Sequence, residues 1–273
     1  VDYTALEKLV EFQIEGGIDF LVICGTTGES ATLTPEEQLK VIKHVVTTVD
    51  GRVGVVGGAG GYHTAEVVEQ ARQVEACGVE GLLSVTPYYN KPTQEGLYQH
   101  YKSLAEAVST PIILYNVPGR TRCNLLPETV IRLAELPMIA ALKAASGDIE
   151  QIAETAVRRP PGFRIFSGND SNTLAIIAQG GDGLISVVSN EIPAQTRSFV
   201  HRCLEGDFSS AREEFGEIFT LMKLNFLETN PIPVKTAVAM MGLAQEVFRL
   251  PLTPMGAEHK TILEQELKRL TLI

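Results

Sequence analysis

The chemistry of this chain is read around Lys143. It closes the run Met138-Ile139-Ala140-Ala141-Leu142-Lys143 as the only charge at the end of an apolar strand. An unpaired ammonium in apolar surroundings is costly, and burial lowers a lysine pKa by disfavouring the charged form. In water, near about 10.4, roughly one lysine in 2,500 is neutral at pH 7. A shift toward ~7–8 makes the amine a usable nucleophile for a carbonyl. The alternative is a lysine that lays its stem along the rim and keeps its head in water. Tyr115 ends the preceding apolar run, Ile112–Tyr115, so phenol and amine can meet over one substrate carbon. A tyrosine there can pass a proton. Arg120, in Tyr115-Asn116-Val117-Pro118-Gly119-Arg120-Thr121, can clamp a carboxylate with a planar two-pronged contact.

Two turns stand beside these residues as candidates. Gly25-Thr26-Thr27-Gly28-Glu29-Ser30 has glycines that let backbone approach a ligand and threonines that offer hydroxyl and N–H donors. It suits a carboxylate, and it is equally an ordinary tight turn. Thr86-Pro87-Tyr88-Tyr89-Asn90 carries paired tyrosines, which also suit packing at an interface. The remaining signals are weaker. His63, His100 and His259 fall on predicted helices or at their starts, so no metal site is expected. Gly57-Gly58-Ala59-Gly60-Gly61 lacks the lysine and spacing of a phosphate loop and reads as the tight turn after a strand. Cys24 has no base next to it in sequence and reads as core. A Schiff-base lysine, a phenol shuttle and a carboxylate-binding turn together describe a class I aldolase acting on a 2-keto acid.

These residues must be held by strands. Apolar, β-branched runs recur at Phe20–Cys24, Val53–Val56, Gly81–Val85, Ile112–Tyr115, Ile139–Lys143, Phe163–Phe166 and Leu184–Val188. Few alternate apolar with polar, as expected of parallel strands buried on both faces. Helical patterns lie between them. Thr34-Pro35-Glu36-Glu37 is a capping box with proline at the first helical position, and Asp148 and Leu126-Pro127 mark two further helix starts. Beyond about residue 190 the pattern turns to consecutive helices, predicted near 193–205, 208–227, 231–246 and 256–269. Repeated βα units argue for one parallel sheet, with reactive groups at the C-terminal strand ends. A closed (β/α)8 barrel needs eight strands and seven are read. The chain opens directly into an amphipathic helix (Leu6, Leu9, Val10, Ile14), so the first strand is expected upstream of Val1. The alternative is a seven-stranded or open sheet. The expected division is a barrel over 1–206 and a helical C-terminal region over 207–273.

Composition limits the partners. The 273 residues hold 23 Lys+Arg against 33 Asp+Glu, a net charge of -10, which repels nucleic acid phosphates and anionic membranes. Hydrophobic residues make up 44% and charged residues 21%, ordinary for a folded globular chain and too apolar for a disordered one. No apolar run reaches the ~18 residues of a membrane span. The cysteines Cys24, Cys77, Cys123 and Cys203 have no CxxC spacing, so buried free thiols in a reducing cytoplasm are expected.

Over nearly its whole length the chain resembles the dihydrodipicolinate synthase branch of the N-acetylneuraminate lyase superfamily. The runs that carry the resemblance are Gly25–Ser30, Thr86–Asn90, Glu95-Gly96-Leu97-Tyr98, Tyr115–Thr121, Lys143, Ser167-Gly168-Asn169-Asp170, Gly183–Ser186 and Asn230–Lys235. The resemblance implies a (β/α)8 barrel with a C-terminal helical region, assembled as a homotetramer of tight dimers. It implies that Lys143 forms an imine with pyruvate. Tyr115 would give and take protons, linked by Thr26 to Tyr89 from the neighbouring subunit. Thr27 would bind the pyruvate carboxylate, Gly168 and Ile185 would line the pocket by their backbone, and Arg120 would hold the carboxylate of aspartate 4-semialdehyde. The implied reaction is their condensation to 4-hydroxy-tetrahydrodipicolinate, toward diaminopimelate and lysine, with no cofactor.

The chain departs from the family pattern in places. The position after the imine lysine, usually Glu in synthases, is Ala144, and Lys143–Asp148 is also similar to the lyase branch. A sialic acid or 2-keto-3-deoxy sugar acid lyase is therefore the first alternative, and Arg120 speaks against it, because a sugar needs hydroxyl partners there. A non-catalytic metabolite-binding barrel is the second. Some family members bind lysine in a pocket matched here by Ser30, Ala31, Glu66 and Tyr88. Tyr62 replaces an asparagine of that pocket, and Pro35 and Gln38 stand where some sensitive members have histidines, which implies weak or absent inhibition.

Overall fold

The computed structural model describes residues 1–273. In chain order it runs α1 (Tyr3–Glu15), β1 (Phe20–Ile23), α2 (Pro35–Val49), β2 (Gly54–Gly58), α3 (Thr64–Glu75), β3 (Gly81–Val85) and α4 (Gln94–Ala105). There follow β4 (Ile112–Asn116), α5 (Pro118–Thr121), α6 (Pro127–Ala134), β5 (Ile139–Ala144), α7 (Ile149–Arg158), β6 (Arg164–Ser167), α8 (Thr173–Ala178) and β7 (Gly183–Leu184). The chain ends in α9 (Pro193–Glu205), α10 (Phe208–Leu224), α11 (Ile232–Met240) and α12 (Ala257–Arg269). Local chemistry starts these helices where the sequence predicts. Thr34 and Glu37 close a reciprocal capping box on α2, and Asp148 accepts from Gln151 N at 3.0 Å to open α7. No helix is long and apolar enough to cross a membrane.

Two compact units are built from discontinuous stretches. One contains Phe20–Ile23 and Gly54–Ile185, and so all seven strands. They pair in parallel, in the order β1 to β7, with α3, α4, α6 and α7 packed in succession. The sheet is strongly curled. Phe20 on β1 and Phe166 on β6 bring their ring centroids to 5.8 Å. Five strand spacings in a flat sheet would separate them by roughly 24 Å. Inside the curl lie Val56, Leu83, Ile113, Tyr115, Ala141 and Ile185, all buried. This is an α/β fold of TIM-barrel-like form.

The other unit contains Val1–Asp19, Cys24–Val53 and Ser186–Ile273. It holds the Gly25–Ser30 turn together with α1, α2 and the four C-terminal helices. Val187, Val234 and Val238 form a small core with Leu9 and Leu243 against them, while Phe199, Phe215 and Phe219 stack in a row between α9 and α10.

Several details differ from expectation. The last strand is only Gly183–Leu184, and it opens on Gly183 at φ 148, where other residues are strained. The helix predicted over 231–246 stops at Met240, and Gly242 follows at φ 75, a left-handed stop. Gly57 and Gly58 belong to β2 rather than to a turn. Just beyond, a Cβ on Gly60 would meet Val85 N at 2.8 Å, so glycine is required for the close approach to β3. Cys77 is half-buried at the end of α3, unlike the other three cysteines.

Candidate active site

Strand register places the lysine. β4 and β5 pair Ile112 with Ile139 and then Ile113 with Ala141, so Ala140 is left over as a bulge. Without it Tyr115 would pair with Leu142, and a one-residue slip turns every side chain to the other face. With it, Tyr115 pairs with Lys143. The Lys143 Nζ stands 4.5 Å from the Tyr115 ring centroid, over the face of the phenol.

The surroundings tune this amine. Desolvation is the largest influence and pulls the Lys143 pKa down to about 8; the Asp170 carboxylate opposes it, and the Arg120 guanidinium adds to it. At about 8, roughly a tenth of the amines are neutral at pH 7. The loop after β6 packs directly on the lysine stem. A Cβ on Gly168 would lie 3.1 Å from Lys143 Cγ and 2.8 Å from Ala145 Cβ, so only glycine fits. Gly168 N donates to Ala144 O at 2.8 Å, and Ile185 N donates to Ser167 O at 2.9 Å. Asp170, 2% exposed, begins the 3-10 turn that follows. In the sequence Asp170 is only the last residue of the Ser167–Asp170 motif; the signal that finds it is a carboxylate three residues after the end of β6.

Arg120 is carried on α5, in a loop fixed from below. Asn116 accepts from Leu125 N at 3.0 Å and donates to Asn124 Oδ1 at 2.9 Å. Thr86 Oγ1 donates to Thr121 Oγ1 at 3.2 Å, tying the loop after β3 to the same segment. Arg120 itself is exposed, and its charge reaches Lys143. The two tyrosines after β3 diverge. Tyr88 meets Tyr62 edge to face at 5.1 Å, and burial with the neighbouring Tyr62 pushes its phenol pKa up. Tyr89 is 89% exposed and held at φ 69, a left-handed conformation uncommon for a bulky residue. Glu66 pairs with His63 at 3.1 Å on an exposed helix face.

The Gly25–Ser30 turn is built in the other unit. Glu29 N donates to Thr26 O at 3.1 Å, and Cys24 and Glu29 both take left-handed backbone, φ 57 and 53. Burial raises the Cys24 thiol to about 12, so it is no nucleophile. Asn230 Nδ2 donates to Thr27 Oγ1 at 3.0 Å, and Lys235 forms an ion pair with Glu29. Ser30 and Ala31 sit in the short 3-10 turn that follows.

An amine lowered toward neutrality above a phenol, with a guanidinium in range, is a carbonyl-condensing constellation. Comparison with known proteins gives it a family. The model of the dihydrodipicolinate synthetase family matches residues 1–270. The 4-hydroxy-tetrahydrodipicolinate synthase of Koribacter versatilis is 50% identical over 266 residues, covering 97% of this chain and 89% of that protein. That of Chloroherpeton thalassium is 49% identical, covering 100% and 91%. The crystal structure of dihydrodipicolinate synthase from Aquifex aeolicus superposes with a TM-score of 0.98 at 45% identity, covering 100% of this chain and 93% of that one. By sequence over its full length and by fold, this chain belongs to the dihydrodipicolinate synthetase family.

Proposed function

We propose that this protein is a lyase that condenses pyruvate with L-aspartate 4-semialdehyde to 4-hydroxy-tetrahydrodipicolinate, in lysine and diaminopimelate biosynthesis. The observation that carries the reading is the Lys143 amine, lowered to about 8 and in register with Tyr115. Neutral Lys143 adds to the pyruvate carbonyl, and loss of water gives the imine. A C3 proton then leaves to form the enamine, whose C3 attacks the aldehyde carbon. The alkoxide takes a proton. The amino group of the bound semialdehyde finally attacks C2, closes the ring as its own imine and frees Lys143. One water is released overall.

The residue roles are those the family resemblance implies. Tyr115 moves the protons, linked by Thr26 to Tyr89. The near-complete exposure of Tyr89 supports a role in a partner subunit's site, within a homotetramer of tight dimers. Thr27 binds the pyruvate carboxylate, Gly168 and Ile185 line the pocket, and Arg120 receives the carboxylate of the second substrate. We read the curled sheet as most of a (β/α)8 barrel over 1–206, with a helical region over 207–273. Four free cysteines fit a reducing, cytoplasmic compartment. Tyr62, which the resemblance sets in place of the lysine pocket's asparagine, packs edge to face on Tyr88, which supports weak lysine inhibition.

Borohydride reduction in the presence of pyruvate tests the central step. A stable three-carbon adduct on Lys143, and on no other residue, is expected by peptide mass spectrometry. Absence of that adduct, or its appearance elsewhere, overturns the reading in favour of a non-catalytic barrel or another nucleophile.

A further inference from the structure

Residues near the end of the chain bond to the Gly25–Ser30 turn and to the segment that follows it. Arg249 donates to Thr32 O at 2.8 Å and grips Glu37 with two bonds of 2.6 and 2.7 Å. Lys235 pairs with Glu29 and stands 5.0 Å over the Phe248 ring. Closest to the proposed chemistry is Asn230, 5% exposed, whose Nδ2 donates to Thr27 Oγ1 at 3.0 Å. The reverse contact, from the Thr27 hydroxyl to Asn230 Oδ1, is 3.5 Å, too long for an ordinary O–H···O bond.

A hydroxyl has one hydrogen to donate and two lone pairs to accept with. Asn230 fills one lone pair of Thr27 and does not take its hydrogen. The hydroxyl is thereby kept as a donor, which is what a carboxylate requires. An acceptor in place of the Asn230 amide would capture the hydrogen and present a bare oxygen to the ligand.

We propose that Asn230 is a positioning residue for pyruvate, which acts by donating to Thr27 Oγ1 and so reserving the Thr27 hydrogen for the substrate carboxylate. This rests on the reading of Thr27 as the carboxylate-binding residue. The C-terminal helical region then takes part in substrate binding through Asn230, with the Lys235–Glu29 pair tying the turn to α11 and the Arg249–Glu37 pair tying the following helix, α2, to the segment after α11.

The test uses the full-length chain and reads the pyruvate dependence of both turnover and borohydride trapping. Asn230→Asp replaces the donor by an accepting anion of nearly the same shape. It should raise the pyruvate KM and the half-saturating pyruvate for trapping by about ten- to more than hundred-fold. kcat should fall less than KM rises, and the KM for the semialdehyde should stay put. Asn230→Ala should raise the pyruvate KM by less, and should add nothing on top of Thr27→Val, since both act through one hydroxyl. A pyruvate KM unchanged by Asn230→Asp but raised by Thr27→Val overturns the proposal and leaves the role of Thr27 intact. A pyruvate KM unchanged by Thr27→Val overturns the reading on which the proposal rests. Additive losses in the Asn230→Ala/Thr27→Val pair also overturn it. If circular dichroism shows both Asn230 variants unfolded, Asn230 serves folding alone and the proposal fails.

Discussion

The strand-end pair and the threonine turn are held in place by opposite means. Tyr115 and Lys143 are positioned by backbone: a parallel ladder, one bulge at Ala140 and a glycine packed against the lysine stem. Thr27 is positioned by side chains, foremost an amide 203 residues away in sequence. A ladder site has little slack, because the atoms nearest it are main chain or, like Ala145 Cβ, fixed directly to main chain and unable to rotate aside. A turn held by side chains has slack and depends on each group that takes it up. The first kind should fail when an atom is added, the second when a distant group is removed.

The largest effect should come from adding one carbon beside Lys143. Gly168→Ala puts a Cβ 2.8 Å from Ala145 Cβ and 3.2 Å from Ala144 O, so the loop must move. Displacement of about 1 Å costs on the order of 100-fold in kcat/KM, and the overpacking costs about 1–3 kcal/mol of stability. Gly216→Ala on α10, whose added carbon meets nothing within 4 Å, is the control. Equal activity of the two variants in steady-state assays would break the contrast.

Next in size is Arg120→Ala. It should leave the pyruvate imine trappable while cutting kcat/KM for the semialdehyde about ten- to hundred-fold. Arg120 also helps hold the Lys143 pKa down, so its removal lets that pKa rise. The comparison therefore belongs above about pH 9, where the amine is mostly neutral in both proteins. An unchanged value for the semialdehyde would favour a sugar-acid lyase.

The smallest effect sharpens the electrostatics of the ladder site. Trapping requires neutral Lys143, so its rate should rise with pH through about 8. Asp170 holds that pKa up, hence Asp170→Asn should move the midpoint to lower pH. A midpoint that stays fixed or moves upward would show that the Asp170 charge does not reach the amine.

Legibility in the sequence followed the same division. The seven strands stood out because strands buried on both faces are continuous apolar runs, and Lys143 stood out as the charge that interrupts one. Helix starts were legible wherever a capping side chain, a proline, or both stand at the first turn. The bulge at Ala140 was not, since it exists only relative to the partner strand and Ala140 looks like any other alanine. Nor was the bond from Asn230 to Thr27, whose two ends share no local pattern. Nor was the end of β7 at Leu184, because Ile185 to Val188 continues a mostly apolar run and Ile185 N still bonds to Ser167 O on β6.

The long-range bonds to the turn and to Thr32 just after it span 203, 206 and 217 residues of chain. Synthesis on the ribosome proceeds from the N-terminus, so the turn is among the first parts of the protein to be made and among the last to find its partners. Its loop-closure cost is met only when α11 and the segment through Arg249 have emerged. Until then a nascent chain can complete the strand bearing the reactive amine while Thr27 still lacks its amide. The partners of the threonine turn are thus the later to leave the ribosome, well after the strand that bears Lys143.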